Sequence, residues 1–192
     1  MTSASMTSSD ESALPTSSDA RPEKRVLHLR VNGSDHVVAA RPYALLLDVL
    51  REDLALVGTK RGCDMGTCGC CNVLIDGKSV MSCLVLAHEA SGKNIETIEG
   101  LAFEGAELHP LSAAWAECGG SQCGFCTPGF IVTCHELLAE EQAPSRQRIA
   151  EAISGNVCRC TGYKKILDAV EVAAARMRAA PRHETDARSA AL

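Results

Sequence analysis

Hydrophobic residues recur at every second position over 25–31, which predicts a β-strand with one buried face. The positions on that face are Leu27, Leu29 and Val31. The strand is followed by Asn32-Gly33, a pair that readily adopts the left-handed backbone of a two-residue hairpin turn. A second strand is therefore predicted over 36–40, so this region begins with a β-hairpin.

The strand pattern returns after a short helical segment. A helix is predicted over 44–52. Two strands over 73–75 and 79–81 are then joined by the turn pair Asp76-Gly77, and one more strand is predicted over 95–98. Together these elements predict a small mixed sheet that holds one helix.

Helical spacing replaces the strand pattern beyond about Gly105. The first helix is predicted from hydrophobic positions at i, i+3, i+4 and i+7, which are Leu111, Ala114, Trp115 and Cys118. Thr127-Pro128 predicts the N-cap and first residue of a second helix. Ser145 is predicted to be the N-cap of a third helix, and Thr161 or Gly162 precedes a predicted fourth helix. Four helices of this length predict a compact four-helix bundle.

This change of pattern divides the 192-residue chain into two small domains of an α+β protein. We predict a sheet domain over 25–100 and a helical domain over 101–180, with the linker near 99–105. Residues 1–24, which are rich in Ser and Thr, and residues 181–192 are predicted to be flexible tails. Such small domains bury little apolar surface, so a bound metal centre would help to stabilise each one.

Composition and charge narrow the range of partners. A net charge of −5 and the absence of a Lys/Arg run argue against nucleic-acid binding. No apolar run reaches the ~18 residues that a membrane span needs. Residues 1–24 contain neither a twin arginine nor the apolar segment of an export signal. We therefore expect a cytoplasmic protein in which the eleven cysteines stay reduced.

Four cysteines form a first set, reading C-x4-C-x2-C with the fourth after eleven intervening residues: Cys63, Cys68, Cys71 and Cys83. This is the spacing of plant-type [2Fe–2S] ferredoxins. Gly62, Gly66 and Gly69 are interleaved with these cysteines, and glycine lets backbone N–H groups approach cluster sulfurs without a Cβ in the way. The alternative is a structural zinc site, which usually takes two C-x2–4-C pairs.

A second set reads C-x2-C followed, after thirty-one residues, by C-x-C: Cys123, Cys126, Cys158 and Cys160. It also supplies four thiolates. By spacing alone, an iron–sulfur cluster, a zinc site and a redox dithiol all remain open.

The remaining cysteines are not predicted to be metal ligands. Cys70 lies inside the first loop but out of register with the spacing. Cys118 and Cys134 fall on apolar helix faces, where a thiol acts as a small hydrophobe. The six histidines show no paired metal spacing, which disfavours a Rieske centre with two histidine ligands.

The residues around the second set carry a family resemblance. They read QCGFCTPG over 122–129 and GNVCRCTGY over 155–163, and both cysteine sets occur in the family's order. From Arg25 to Arg178 the chain resembles the small iron–sulfur subunit of the molybdenum hydroxylases. This is the xanthine oxidase group, which includes carbon monoxide dehydrogenase and 4-hydroxybenzoyl-CoA reductase. The resemblance implies an N-terminal β-grasp [2Fe–2S] ferredoxin domain and a C-terminal four-helix-bundle [2Fe–2S] domain.

The resemblance also implies an order for the two clusters. The cluster on the second cysteine set would lie nearer the molybdopterin of a large partner subunit. There Gln122 would hydrogen-bond the pterin, and Cys160 would lie closest to it. The cluster on the first set would face FAD on a medium subunit. The implied assembly is a dimer of such heterotrimers.

The residues of this chain indicate electron transfer and not bond chemistry. Four thiolates around each cluster leave no open coordination position. The chain also has no Walker loop, GxGxxG or nucleophile–base pair, so no catalytic residue is assigned. We expect a relay of single electrons, with substrate bound by the large subunit. The alternative is a free-standing electron carrier or a zinc-stabilised interaction module.

Arg159 lies between two cysteines of the second set. One interpretation is that its charge favours the reduced, more negative cluster. The other is that it points to a partner carboxylate or to solvent, and the sequence does not separate the two.

Overall fold

The computed structural model describes residues 22–104 and 107–179. The predicted tails lie outside these residues, apart from 22–24. The described chain begins with a hairpin of β1 (Arg25–Val31) and β2 (Ser34–Ala40), which pair antiparallel. Asn32 and Gly33 have φ values of 50° and 76°, so both take the left-handed backbone that a tight hairpin turn requires. The predicted hairpin is confirmed, with β2 beginning two residues earlier than expected.

Three further strands complete a five-stranded sheet: β3 (Asn72–Ile75), β4 (Lys78–Met81) and β5 (Asn94–Glu96). Their order is β2-β1-β5-β3-β4, with β5 parallel to β1 and antiparallel to β3. The predicted mixed sheet is therefore confirmed. The expected strand over 95–98 was wrong at its end, because Ile98 already begins a helix.

One face of this sheet is covered by a short helical segment. It consists of α1 (Leu46–Asp48) and a π-helical turn (Val49–Asp53) that continues it. Its apolar side chains pack onto the alternating face of β1, in a core that includes Leu27, Leu29, Val31, Leu46, Val49, Leu50, Val73 and Ile95. The predicted helix over 44–52 is confirmed within two residues at its start and one at its end.

The predicted linker is not irregular. Residues 99–105 include most of α2 (Ile98–Leu101) and all of β6 (Phe103–Glu104), whose antiparallel partner β7 (Glu107–Leu108) follows the predicted linker. These elements are too short to show periodicity, which is why the sequence did not indicate them. Long-range hydrogen bonds hold the start of α2, since Asn32 Oδ1 accepts from the amide of Thr97 (2.8 Å).

Four longer helices follow: α3 (Pro110–Cys118), α4 (Thr127–Glu140), α5 (Arg146–Ala152) and α6 (Lys164–Ala179). They share a second core centred on Phe130, Ile149 and Ile166, all fully buried. The Ser145 hydroxyl accepts from the Arg148 amide (3.1 Å), which confirms the predicted cap of α5. The expected start of α4 was one residue late, because Cys126 occupies the N-cap and Thr127 is already helical.

The two cores meet where α4 lies against the hairpin of β3 and β4. Leu74, Leu101 and Val132 form a small apolar cluster at this contact. The Asn72 side-chain amide donates to Thr133 Oγ1 (2.8 Å), and its Oδ1 is left buried without a partner. Because Asn72 begins β3 and Thr127 begins α4, the loops that precede these elements come together. No helix in the described part of the chain is long and apolar enough to cross a membrane.

Candidate iron–sulfur sites

The first cysteine set gathers around the start of β3. The Cys63 thiol lies beside Cys68, which helps to lower its pKa, and the Cys83 thiol lies beside Cys71, which helps to raise its pKa. Cys83 lies in a 3-10 turn that follows β4. Ser82 Oγ, in the same turn, donates to the Cys71 carbonyl (2.7 Å) and so holds Cys83 near Cys71. The four thiols therefore form two neighbouring pairs within one loop system, and Cys68 also lies beside Cys70.

The loop around Cys63 favours the ionised, thiolate form of this side chain. Backbone N–H groups of Thr67 and Met65, together with the Cys68 side chain, lower the pKa of Cys63 to about 6. The Thr67 hydroxyl also points at this sulfur (3.8 Å). Cys83 is different, because burial and then its neighbour Cys71 raise its pKa to about 12. A bound metal ion would favour the thiolate form of such a cysteine, because a coordinating thiol is deprotonated.

Glycine makes room inside this loop. A Cβ on Gly62 would lie 2.8 Å from the Cys70 sulfur and 3.1 Å from the Cys68 sulfur. Gly69 has φ +67°, and a Cβ there would meet Asn156 Nδ2 at 2.6 Å. The predicted positive φ is present at Gly66 (65°) and Gly69 (67°), and Gly62 has the expected close approach to thiols, while the contact of Gly69 with Asn156 was not predicted.

The second set lies between helices. Cys123 and Cys126 precede α4, while Cys158 and Cys160 precede α6. The Cys160 thiol donates to the Cys123 sulfur (3.6 Å), and the Cys126 thiol lies beside Cys158. Burial, followed by the interaction with Cys158, raises the pKa of Cys126 to about 12. Again the four thiols form two pairs, which the long sequence separation alone could not establish.

Polar neighbours orient Cys158 in particular. Burial opposes its ionisation, but hydrogen bonds from the Thr161 hydroxyl (3.0 Å) and amide (3.4 Å) outweigh burial, so the pKa of Cys158 is lowered. The Cys158 amide donates to the Tyr163 hydroxyl (3.0 Å), which in turn donates to the Asn156 carbonyl (3.1 Å). Tyr163 adopts a positive φ of 67° and packs edge-on against the buried Phe130.

The paired arrangement suits a two-iron cluster. Two thiolates on one tetrahedral metal with bonds of about 2.3 Å lie roughly 3.7 Å apart, close to the 3.6 Å between Cys123 and Cys160. A [2Fe–2S] cluster takes two thiolates on each iron, whereas a structural zinc draws all four to one point. Within residues 22–104 and 107–179, no group of three or more His, Cys, Asp or Glu side chains is arranged to hold a metal ion. The donor chemistry of both sets fits [2Fe–2S] clusters.

The other thiols and two of the histidines are placed as follows. Cys134 is fully buried in the helical core, and burial raises the pKa of its thiol to about 12, while Cys118 is half-buried. Cys70 is buried, and burial and then its contact with Cys68 raise its pKa to about 12. His109 and His135 are far apart in sequence, but their ring centroids lie 5.2 Å apart because α3 and α4 are neighbours.

One end of the second set faces outward. Gln122, Cys123 and Cys160 are exposed, whereas Cys158 is buried behind them. Phe125 and Val157 lie on the same two loops, 47% and 51% exposed. Arg159 is exposed as well. The structure therefore brings the two residues expected at a pterin onto the surface of the protein.

Comparison with known proteins places this geometry in a family. A 2Fe-2S iron-sulfur cluster binding domain matches residues 29–102, and a [2Fe-2S] binding domain matches residues 97–171. The chain is 49% identical over 144 residues to the 6-hydroxypseudooxynicotine dehydrogenase complex subunit beta of Paenarthrobacter nicotinovorans, covering 74% of this chain and 89% of that one. The nicotine 6-hydroxylase small subunit of the same organism is 45% identical over 150 residues, covering 78% and 90%.

A solved structure agrees with these relatives. The crystal structure of quinoline 2-oxidoreductase from Pseudomonas putida 86 has a chain that matches with a TM-score of 0.78 and 43% identity, over 82% of this chain and 98% of that one. The protein belongs to the small [2Fe–2S] subunits of the molybdenum hydroxylases. The expected α+β class and the two [2Fe–2S] centres are thereby confirmed.

For this molybdenum hydroxylase subunit, sequence reasoning missed the polar residues that support the cysteines. Thr67, Thr161 and Tyr163 donate to or accept from groups of the cysteine loops, and Asn156 links one loop to the other. Their signal in the sequence is that Asn156, Thr161 and Tyr163 lie in the GNVCRCTGY segment of the family resemblance and that Thr67 directly precedes Cys68. Since such polar residues are common in loops, that signal does not distinguish a supporting residue from a solvated one.

Proposed function

We propose that this protein is the electron-transfer subunit of a molybdopterin-dependent oxidoreductase. It relays single electrons between the molybdenum centre of a large subunit and FAD, or another acceptor, of a partner subunit, through two [2Fe–2S] clusters. The observation that supports this most directly is that each of the two matched [2Fe–2S] domains contributes a set of four cysteines whose thiols lie close together. Substrate chemistry takes place on the large subunit.

The proposed ligands are the eight cysteines of the two sets. Cys63, Cys68, Cys71 and Cys83 hold the first cluster, and Cys123, Cys126, Cys158 and Cys160 hold the second. We further propose that 25–100 is a β-grasp ferredoxin domain and 101–180 a four-helix-bundle domain. Separate apolar cores on the two sides of the α4 contact support this division.

The chain's own residues prepare each site for an electron carrier. When bound, each cluster accepts and releases one electron without making or breaking a covalent bond. N–H groups around Cys63 and the Thr161 hydroxyl at Cys158 stabilise negative charge on sulfur, which favours the reduced state. Buried Cys71 and Cys158 keep one side of each site away from water, while the opposite side stays accessible to a partner.

The proposed partner contacts follow from exposure. Gln122 and Cys160 lie toward the molybdopterin, with Gln122 hydrogen-bonding the pterin and Cys160 nearest to it. The first site has its own exposed apolar side chains, Met65 (77%) and Leu84 (66%), which suit the medium subunit. The assembly is proposed to be a cytoplasmic dimer of heterotrimers.

Co-purification from the native host, followed by metal analysis and EPR spectroscopy, tests this function. We expect iron in both sites, two distinct [2Fe–2S] signals, and molybdenum and flavin on associated subunits. Zinc in place of iron would exclude the clusters. Iron without associated molybdenum or flavin would favour a free-standing carrier.

The pterin contact is tested separately with Gln122→Ala. Turnover in the assembled enzyme should fall, because a hydrogen bond across the interface is lost, while both cluster spectra persist. Gln147→Ala is the matched control, since Gln147 is exposed and its side-chain amide donates to Glu151 of its own helix (3.0 Å). Equal turnover in the two variants would contradict the assignment of Gln122.

A further inference from the structure

Cys70 lies in the first cysteine loop but is not one of the four proposed ligands there. It directly precedes Cys71 and is 5% exposed, so its thiol is shielded from water. Its sulfur lies beside Cys68 and donates to the Cys68 carbonyl oxygen (3.9 Å). The proposed relay gives this buried thiol no role, although it lies next to a proposed ligand.

The backbone of Cys70 is held on two sides. Its carbonyl accepts from the Lys60 amide (3.2 Å). On the other side lies the first turn of α4, where a Cβ on Gly129 would be 2.9 Å from the Cys70 Cα. Because both contacts involve backbone atoms, the Cys70 thiol stays in its place and does not exchange with Cys71 as a ligand.

The sulfurs of Cys70 and Cys68 share the space beside Gly62. The three atoms nearest to a Cβ on Gly62 would be the Cys70 sulfur (2.8 Å), the Cys68 sulfur (3.1 Å) and the Cys70 Cβ (3.1 Å). Any side chain larger than that of glycine would displace one of these sulfurs. Gly62 therefore leaves room for the Cys70 thiol to remain next to its neighbour.

A thiol at this place keeps its proton. Burial disfavours a charged sulfur, and the thiolates of the ligands would repel one more negative charge. The neutral thiol is a weak hydrogen-bond donor. Hydrogen bonds to a charged acceptor are stronger than those to a neutral one, so the iron-bound, negative sulfur of Cys68 is a better acceptor than its carbonyl.

We infer that Cys70 is a positioning residue of the first site, which donates its S–H to the Cys68 sulfur and thereby raises the reduction potential of the first cluster. This rests on the proposed function, which supplies the cluster. On reduction the cluster gains one electron, the Cys70 proton stays on its own sulfur, and no covalent bond forms or breaks. Hydrogen bonds to the sulfurs stabilise the reduced, more negative state, so the first cluster accepts its electron more readily.

Cys70→Ala tests this donor in the full chain carrying both clusters. The reduced first cluster loses a hydrogen bond, so its reduction equilibrium should become roughly five-fold less favourable. That change is a fall of about 40 mV in the midpoint potential of a one-electron couple. Titration with dithionite, followed by EPR, measures both potentials, and the signal of the first cluster is the one that Cys63→Ala removes. The potential of the second cluster should match the parent.

Two matched variants separate a donor from a packing role. Cys70→Ser keeps a donor at the same place and should return the potential toward the parent value. Cys134→Ala removes a fully buried thiol of the helical core and should leave both potentials unchanged. Parent potentials in Cys70→Ala, or equal potentials in Cys70→Ala and Cys70→Ser, would overturn the inference. Loss of iron from the first site alone in Cys70→Ala would also overturn it, because Cys70 would then be a ligand.

The S–H stretching bands provide a measurement that needs no change at Cys70. With eight of the eleven cysteines bound to iron, the remaining thiols are those of Cys70, Cys118 and Cys134. The Cys70 band should move to lower wavenumber when the clusters are reduced, because its acceptor sulfur becomes more negative. Cys118→Ala and Cys134→Ala identify the two bands that should stay in place. Three unmoved bands would overturn the inference, whereas missing iron or missing cluster signals would count against the proposed function.

Discussion

Gly129 lies at the tightest point between the two halves of the molecule. It is in the first turn of α4, and a Cβ at this position would lie 2.1 Å from the Gly69 carbonyl oxygen and 2.9 Å from the Cys70 Cα. Both neighbours are backbone atoms, so they cannot move aside as a flexible side chain would. The absence of a side chain at Gly129 thus permits the first cysteine loop to lie against α4.

We therefore expect Gly129→Ala to be destabilising despite the better helix propensity of alanine. Forcing the two backbones apart should cost about 1–3 kcal/mol of unfolding free energy, as overpacking typically does. Urea unfolding measures this. Gly155→Ala is the control, because a Cβ there meets no atom within 4 Å and its φ is not positive. Equal stability of the two variants would contradict the close contact.

The threonines beside the cysteines form a second matched pair. Thr161 donates to Cys158 in the second set (3.0 Å), and Thr67 points at Cys63 in the first (3.8 Å). Hydrogen bonds to sulfur stabilise the reduced, more negative cluster. Thr161→Val should therefore lower the midpoint potential of one cluster, by about 40 mV if the bond contributes roughly 1 kcal/mol. Redox titration followed by EPR measures each potential.

The controls for this prediction are reciprocal. Thr67→Val should shift the potential of the other cluster, by less, since its bond is longer. A shift of both potentials in either single variant would show that the threonines act through the general fold and not on their own sulfurs.

Among the secondary-structure elements, local chemistry decided the hairpins and most helix boundaries. Asn32-Gly33 and Asp76-Gly77 both take left-handed backbone, as their residue types predict. Ser145 caps α5, also as predicted. Long-range contacts decided the rest. The start of α2 is held by Asn32, which lies in the turn between β1 and β2, and no local sequence pattern indicates this helix.

The cap of α5 can be tested on its own. Ser145→Ala removes the acceptor of the Arg148 amide, so the free energy of unfolding should fall by about 1 kcal/mol. Chemical denaturation measures this loss. Ser154→Ala, at an exposed position just beyond the helix, should be close to neutral. A loss as large at Ser154 would show that the cap contributes nothing specific.

At the scale of the whole molecule, two cores share one contact surface. The sheet core and the helical core are separate, and α4 with β3 joins them through Leu74, Val132 and the bond from Asn72. Both cysteine loops lie at the same end of this contact. The molecule therefore has two sites that are independently built but spatially adjacent.

We expect Cys126→Ser to remove one cluster and spare the other. The first cysteine set has its own loop and its own core, and does not need the second for its fold. Iron analysis should show half the parent iron, and EPR should retain a single signal. Cys134→Ser is the control, because this fully buried thiol is not among the proposed ligands and should leave both signals. Loss of both signals in Cys126→Ser would contradict independent sites.

By itself, the sequence determined the two periodicities, the tight turns, the cap of α5 and the grouping of eight cysteines into two sets. These depend on nearest neighbours or on spacing along the chain. Only the tertiary structure decided that Cys71 pairs with Cys83 and Cys126 with Cys158, and that Asn156 meets Gly69. The physical reason is that such contacts join residues far apart in sequence. The contact of Asn156 with Gly69 also joins the two halves of the molecule, so it forms only when α4 packs on β3, and that packing depends on both cores at once.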